Sequence, residues 1–134
     1  MSAAKLFRQI DRASGVPIHL QLADRIRLLI REGTLPAGAG LPTVRSLAVE
    51  LGINANTVAR VYRDLQANGL LRLEQGVGTF VAETQGRVVS PRDFRSLEKK
   101  ALELIRLAKQ SDVTIPEVCQ LIERHWEEVD HVQG

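Results

Sequence analysis

The stretch Thr43-Val44-Arg45-Ser46-Leu47-Ala48-Val49-Glu50-Leu51-Gly52-Ile53-Asn54-Ala55-Asn56-Thr57-Val58-Ala59-Arg60-Val61-Tyr62-Arg63-Asp64-Leu65 decides the fold. It reads as two short helices broken at a glycine. Thr43 suits the N-cap of the first, a helix of about ten residues with Val44, Leu47, Ala48 and Leu51 turned inward. Gly52 stops it, Ile53 packs inward, and Asn54 caps the second, which runs to about Asn68. Val58, Val61, Tyr62 and Leu65 recur at helical spacing and form the buried face of that second helix. Two short helices joined through a Gly-containing turn are the sequence image of a helix-turn-helix.

On the N-terminal side, Leu35 to Pro42 holds two prolines and two glycines and reads as a loop. Before it, a helix is predicted over 17–33. Pro17 falls in its first turn, Leu22, Ile26, Leu29 and Ile30 form its stripe, and Gly33 stops it. Residues 5–10 read as a short extended segment, followed by a loop through Ser14-Gly15-Val16-Pro17. On the C-terminal side, Asn68-Gly69 closes the second short helix. Leu70-Leu71-Arg72-Leu73 and Thr79-Phe80-Val81 then read as strands flanking Gln75-Gly76-Val77-Gly78, where the glycines permit positive φ at a hairpin tip. A hairpin directly after such a helix is a wing.

Residues 84–89 read as a linker and 90–134 as a tail of two helices, so that 1–83 is the first domain. Ser90 caps the first tail helix, Pro91 takes its first turn, and Asp93 sits favourably at the positive dipole end. Its stripe, Phe94, Leu97, Ala101, Leu104 and Ala108, follows a 3-4 spacing widened by Leu102, Ile105 and Leu107. Ser111-Asp112 breaks it, and Thr114-Ile115-Pro116-Glu117 is a capping box that starts the next helix. Ile115, Val118, Ile122, Trp126 and Val129 carry the apolar face onward. The predicted fold is therefore mainly α with a small β-hairpin wing: a winged helix-turn-helix followed by a C-terminal antiparallel helix pair for dimerisation.

The net charge of +2 conceals a split. Residues 1–89 hold 11 Lys+Arg against 7 Asp+Glu, or +4, whereas 90–134 hold 7 against 9, or −2. All but one of the cations in the first part are Arg, whose planar fork suits phosphates and base edges better than Lys does. Arg-rich composition also follows from a GC-rich genome, so charge alone suggests an anionic partner without proving one. A single cysteine, Cys119, excludes an intramolecular disulfide and fits a reducing cytoplasm. No apolar run is long enough for a membrane span or a signal peptide, so neither membrane association nor export is expected.

Four blocks at characteristic spacing resemble the GntR family of bacterial transcription regulators. They are Gly40-Leu41-Pro42-Thr43-Val44-Arg45-Ser46-Leu47-Ala48, then Leu51-Gly52-Ile53-Asn54-Ala55-Asn56-Thr57-Val58, then Leu65 with Gly69-Leu70-Leu71, and finally Gln75-Gly76-Val77-Gly78-Thr79-Phe80-Val81. The match covers about residues 8–82, and the block Asn54 to Tyr62 with the short tail is similar to the YtrA-type subfamily. The resemblance implies DNA contacts at Thr43 and Arg45 and a wing tip inserted at the minor groove. Relatives with a larger ligand-binding domain, or fused to an aminotransferase-like domain that binds pyridoxal phosphate, are longer than this chain. Many relatives carry arginine where Ala55 and Ala59 stand, which bears on the base sequence that is read rather than on DNA binding.

Elementary chemistry supports the same surface. A helix entering the major groove presents what lies opposite its buried face: Asn56, Thr57, Ala59, Arg60, Arg63 and Asp64. Asn56 suits an adenine edge, Arg60 a guanine, and Thr57 a thymine methyl or a phosphate. The helix start at Thr43 favours a phosphate, with Arg45 one turn in. The candidate DNA-binding set is Thr43, Arg45, Asn54, Asn56, Thr57, Arg60, Arg63, Gln75 and Gly76. Thr43 and Asn54 are also needed simply as caps, Arg60 and Arg63 also fit as solvated helix charges, and Gly76 and Gly78 also fit as turn residues. Gly76-x-Gly78 is no nucleotide fingerprint, lacking the third glycine and following helix.

The candidate dimerisation set is Phe94, Leu97, Ala101, Leu104, Ile105, Ile115, Val118, Ile122, Trp126 and Val129, because two short amphipathic helices cannot bury their stripes alone. Trp126 reads as a packing anchor rather than an effector platform, and Cys119 as a small buried hydrophobe. His125, Glu128 and His131 span too wide an arc for three ligands on one metal, so no metal site is assigned, although a site across a dimer interface stays open. No arrangement supports catalysis and no cofactor is expected. The expected partners are double-stranded DNA and a second copy of the chain, with a palindromic operator and repression as the mode of action. A small-molecule effector stays unassigned. The competing reading is a winged helix used for protein–protein contact.

Overall fold

A computed structural model describes Phe7 and residues 10–83 and 91–130. It is mainly helical, with helices α1 (Ile18–Arg31), α2 (Val44–Leu51) and α3 (Ala55–Ala67), strands β1 (Leu71–Glu74) and β2 (Gly78–Val81), and helices α4 (Pro91–Gln110) and α5 (Ile115–Asp130). Two compact units divide the chain, the first ending at Phe94 and the second beginning at Arg95.

In the first unit, α3 buries Val58, Val61, Tyr62 and Leu65, the four residues its spacing singles out. Leu22, Ile26 and Leu29 of α1 and Leu47 and Ala48 of α2 belong to the same core, together with Leu35, Leu71 and Val81. Helix α3 packs against both α1 and α2 and against the start of the hairpin. Phe7 is also buried in this core, a contribution that the sequence reading of 5–10 as an extended segment does not anticipate. The rest of that segment, Ile10 apart, lies outside the described residues, as do the linker 84–89 and Ser90.

Helix ends form where side chains can replace missing backbone partners. The Ser46 N–H donates to Thr43 Oγ1 at 3.0 Å, and the Asn56 N–H to Asn54 Oδ1 at 2.8 Å. Gly52 takes φ +65°, and the Ile53 N–H turns back to the Ala48 carbonyl at 3.0 Å, which closes α2 and starts the turn into α3. At α1, Pro17 precedes the helix as its cap instead of occupying its first turn, and the helix ends at Arg31.

The hairpin pairs Leu71 with Val81, Arg72 with Phe80, Leu73 with Thr79 and Glu74 with Gly78. The segment from Leu35 to Pro42 is more ordered than its prolines and glycines suggest. The Gly38 N–H donates to the Val81 carbonyl, the Val81 N–H to the Ala39 carbonyl, and the Leu41 N–H to the Thr79 carbonyl, each at 2.8 Å. These bonds lay residues 38–41 beside β2, with a single bridge between Gly40 and Phe80 and no further strand added to the two-stranded sheet. Pro36 and Pro42 flank the paired positions, so neither removes a ladder donor.

In the second unit, α4 ends at Gln110; beyond it Asp112 takes a left-handed φ of +56°, and the Val113 N–H reaches back to the Ala108 carbonyl at 2.8 Å. Thr114 and Glu117 form the reciprocal capping box at the start of α5. The Thr114 N–H and hydroxyl donate to Glu117 Oε1 at 3.0 and 2.8 Å, and the Glu117 N–H returns to Thr114 Oγ1 at 3.3 Å. These bonds hold the Glu117 carboxyl below the usual carboxylate range. Leu104, Ala108, Val113 and Val118 line a hollow beside this turn.

Leu65 is fully buried where α3 meets the rest of the core. Leu65→Ala is expected to lower unfolding stability by about 2–5 kcal/mol in urea titration of the full chain, the range for a truncated core leucine.

Candidate nucleic-acid interface

Because α3 is covered along its Val58-Val61-Tyr62-Leu65 stripe, its remaining side chains are displayed outward. Asn56, Arg60 and Arg63 are exposed and, at i, i+4 and i+7, lie on one face, while Thr57 and Ala59 are half-buried at its edge. Among the described residues, none of Arg45, Arg60 and Arg63 pairs with a carboxylate. Their guanidinium groups are therefore available to an anion. Thr43 and Arg45 are likewise exposed at the first turn of α2.

The structure ties three of these features together through one short segment. The Tyr62 hydroxyl on α3 donates to the Pro42 carbonyl at 2.8 Å, immediately before Thr43. On its other side the same segment pairs with β2 through Leu41 and Thr79. Helix α3, the start of α2 and the wing thus share a single strip of backbone. Sequence spacing marks Tyr62 as buried but does not name its partner. The signal is that a buried tyrosine hydroxyl requires one.

At the wing tip, Gln75, Gly76 and Val77 are exposed, Gly76 takes φ +76°, and the Val77 N–H closes the turn on the Glu74 carbonyl at 3.0 Å. A Cβ at Gly76 would meet no other atom within 4 Å, so it is the left-handed backbone, not crowding, that calls for glycine there. Arg72, lower on the wing, lies 4.9 Å from the centroid of the Phe80 ring and pairs with Glu74. The sequence places Arg72 below the tip but does not reveal this stacking, which joins residues paired across the hairpin.

The second unit offers a different surface. Leu97, Ile105, Ile115, Ile122, Trp126 and Val129 are exposed in the single chain, Ala101 is exposed, and Leu104 and Val118 are half-buried. Phe94, the last residue of the first unit, is buried, unlike the other members of the candidate dimerisation set. Cys119 is exposed, which corrects the sequence expectation of a buried small hydrophobe: among the described residues, the apolar side chains Ile115, Ile122, Trp126 and Val129 of α5 stand exposed as well. His125 Nδ1 lies 2.7 Å from Glu128 Oε2 in an i,i+3 pair, and His131 is outside the described residues. Among the described residues, no cluster of metal-ligating side chains occurs and no helix is long and apolar enough to cross a membrane.

Three helices, a glycine turn between the second and third, and a two-stranded hairpin define a winged helix-turn-helix protein. Residues 18–81 match the family of bacterial regulatory proteins called the gntR family. Over 74 residues the chain is 42% identical to the HTH-type transcriptional regulator Rv1152 of Mycobacterium tuberculosis, a match covering 55% of this chain and 61% of that protein. With the HTH-type transcriptional regulator YhcF of Bacillus subtilis it shares 34% identity over 116 residues, 85% of this chain and 93% of the relative. The solved structure of YtrA from Sulfolobus acidocaldarius, a GntR-family transcription factor, superposes with a TM-score of 0.55 at 34% identity, covering 71% of this chain and 96% of that one. The chain belongs to the GntR family and is a transcriptional regulator.

Burial pushes the Tyr62 hydroxyl well above its ordinary value of 10.0, so the folded state keeps a proton that the unfolded chain releases. This contribution is intact below pH ~10 and is lost as the pH rises beyond it. As Tyr62 is the single tyrosine, phenolate absorbance should appear only with unfolding in an alkaline titration. Tyr62→Phe should remove that link while costing about 1 kcal/mol at neutral pH, because the Pro42 carbonyl loses its donor.

Proposed function

We propose that this regulator is a sequence-specific DNA-binding repressor that acts as a homodimer on a two-fold symmetric operator in the cytoplasm. The observation that carries the reading is the exposed, unpaired row of Asn56, Arg60 and Arg63 on a helix whose opposite face is locked into the core. In this reading α3 enters the major groove. Asn56 and Arg60 read base edges, and Arg63 with Thr57 secures the flank. Thr43, Arg45 and Asn54 hold backbone phosphates at the two helix starts. The wing tip at Gln75 and Gly76 approaches the minor groove by its backbone, since it carries little side-chain bulk.

The exposed apolar residues of α4 and α5 support pairing with a second copy. Burying such surface yields about 25 cal/mol per Å². A two-fold dimer then matches half-sites about 10 bp, or a multiple of it, apart. Occupancy of a promoter by such a dimer is enough to exclude polymerase, which makes repression the simplest mode of action.

Binding to an operator recovered from a randomised duplex pool tests this reading. Arg45→Ala should weaken binding about evenly over all sequences and reduce the salt slope by about one. Arg60→Ala should lose about 1–3 kcal/mol of discrimination at one position of each half-site. If both variants keep the affinity and consensus of the unaltered chain, base reading by α3 is wrong. Retention on an acidic protein partner with no duplex binding at low salt would favour the protein-contact reading. Light scattering should give twice the 14.8 kDa chain mass, and a monomer at micromolar concentration would contradict the dimer.

A further inference from the structure

Arg12 lies before α1, outside every helix and strand, yet its guanidinium reaches the turn of the helix-turn-helix. Its Nη2 donates to the Leu51 carbonyl at 3.2 Å and to the Gly52 carbonyl. The closing bonds of α2 satisfy only the Ala48 and Val49 carbonyls, through the Gly52 and Ile53 N–H groups. The Leu51 carbonyl is one of the last four of the helix, for which the helix itself supplies no donor, and Gly52 is the cap; a cation there also suits the negative end of the helix dipole.

The segment that carries Arg12 is itself fastened to α1. Gln21 accepts from the Asp11 N–H at 2.7 Å and donates to the Asp11 and Val16 carbonyls, both at 2.8 Å, and to Ser14 Oγ at 3.1 Å. The Ala13 N–H adds a bond to Asp11 Oδ1 at 2.9 Å. Arg12 therefore leaves a pinned loop on α1 and grips the joint between α2 and α3. Gly52 leaves room for this grip: a Cβ there would come within 3.3 Å of the Arg12 Nη2.

We propose that Arg12 is a positioning residue for base readout, acting through the turn at Leu51 and Gly52 to set the pose in which α3 presents Asn56 and Arg60. The proposal rests on the DNA-reading function set out above. Bidentate contacts to base edges tolerate displacements of only about 0.5 Å, so a slackened joint costs discrimination before it costs the fold.

The test uses the full chain, a randomised duplex pool, and the duplex that the unaltered protein selects from it. Arg12→Ala should bind that duplex about five- to tenfold more weakly, the lower range for loss of a charge-assisted bond at an exposed site. The consensus it selects should flatten at the same positions as that of Arg60→Ala. In the double variant the losses should be less than additive, because both report on one contact. Arg12→Lys, whose ammonium can also donate to the two carbonyls, should recover part of the loss.

Three results would overturn the proposal. Arg12→Ala with unaltered affinity and consensus would do so. An even loss over all sequences with a shallower salt slope would make Arg12 a phosphate contact instead. A loss that follows the urea midpoint and adds fully to that of Arg60→Ala would make it merely structural. Each of these leaves the DNA-reading function standing. Failure of the unaltered chain to bind any duplex would remove that function, and this inference with it.

Discussion

A single thirteen-residue helix must be covered on its Val58-Val61-Tyr62-Leu65 stripe, and the rest of the first unit is arranged to cover it. Helix α1 contributes Leu22, Ile26 and Leu29, α2 contributes Leu47 and Ala48, and the hairpin contributes Leu71 and Val81. Once those positions are inside, Asn56, Arg60 and Arg63 have nowhere to go but outward. Exposure of that row is thus a consequence of core packing. The Tyr62 hydroxyl adds direction, since its bond to Pro42 joins the buried face to the strip of chain that also meets the wing.

Much of this was legible because it is local. A capping threonine or asparagine bonds an amide two or three residues on, and Gly52 and Gly76 mark left-handed positions that side chains disfavour. The Thr114–Glu117 box is equally local and equally visible. What escaped depends on residues far apart in sequence. Residues 38–41 read as a loop because their composition is that of one, yet they pair with β2 some forty positions on, where no pattern in the strip itself could point. The grip of Arg12 on Leu51 and Gly52 is of the same kind. Phe7 was missed because a lone aromatic in a short segment has no period to announce its burial.

The tail shows the opposite failure. Its periodicity identified both helices, but an apolar face states only that cover is needed, not whether the chain supplies it. Cys119, Trp126 and Ile122 stand exposed in the single chain for that reason. The nearly neutral total charge has a comparable explanation, being the sum of an arginine-rich first part and an acidic tail.

The claim that matters most is that α3 reads DNA from one face of the duplex. Hydroxyl-radical footprinting of the full chain on its selected duplex tests it directly. The account predicts two protected patches on the same face, their centres a whole number of helical turns of about 10.5 bp apart. Uniform cleavage along the duplex at saturating protein and low salt, with no protected patch, would contradict it.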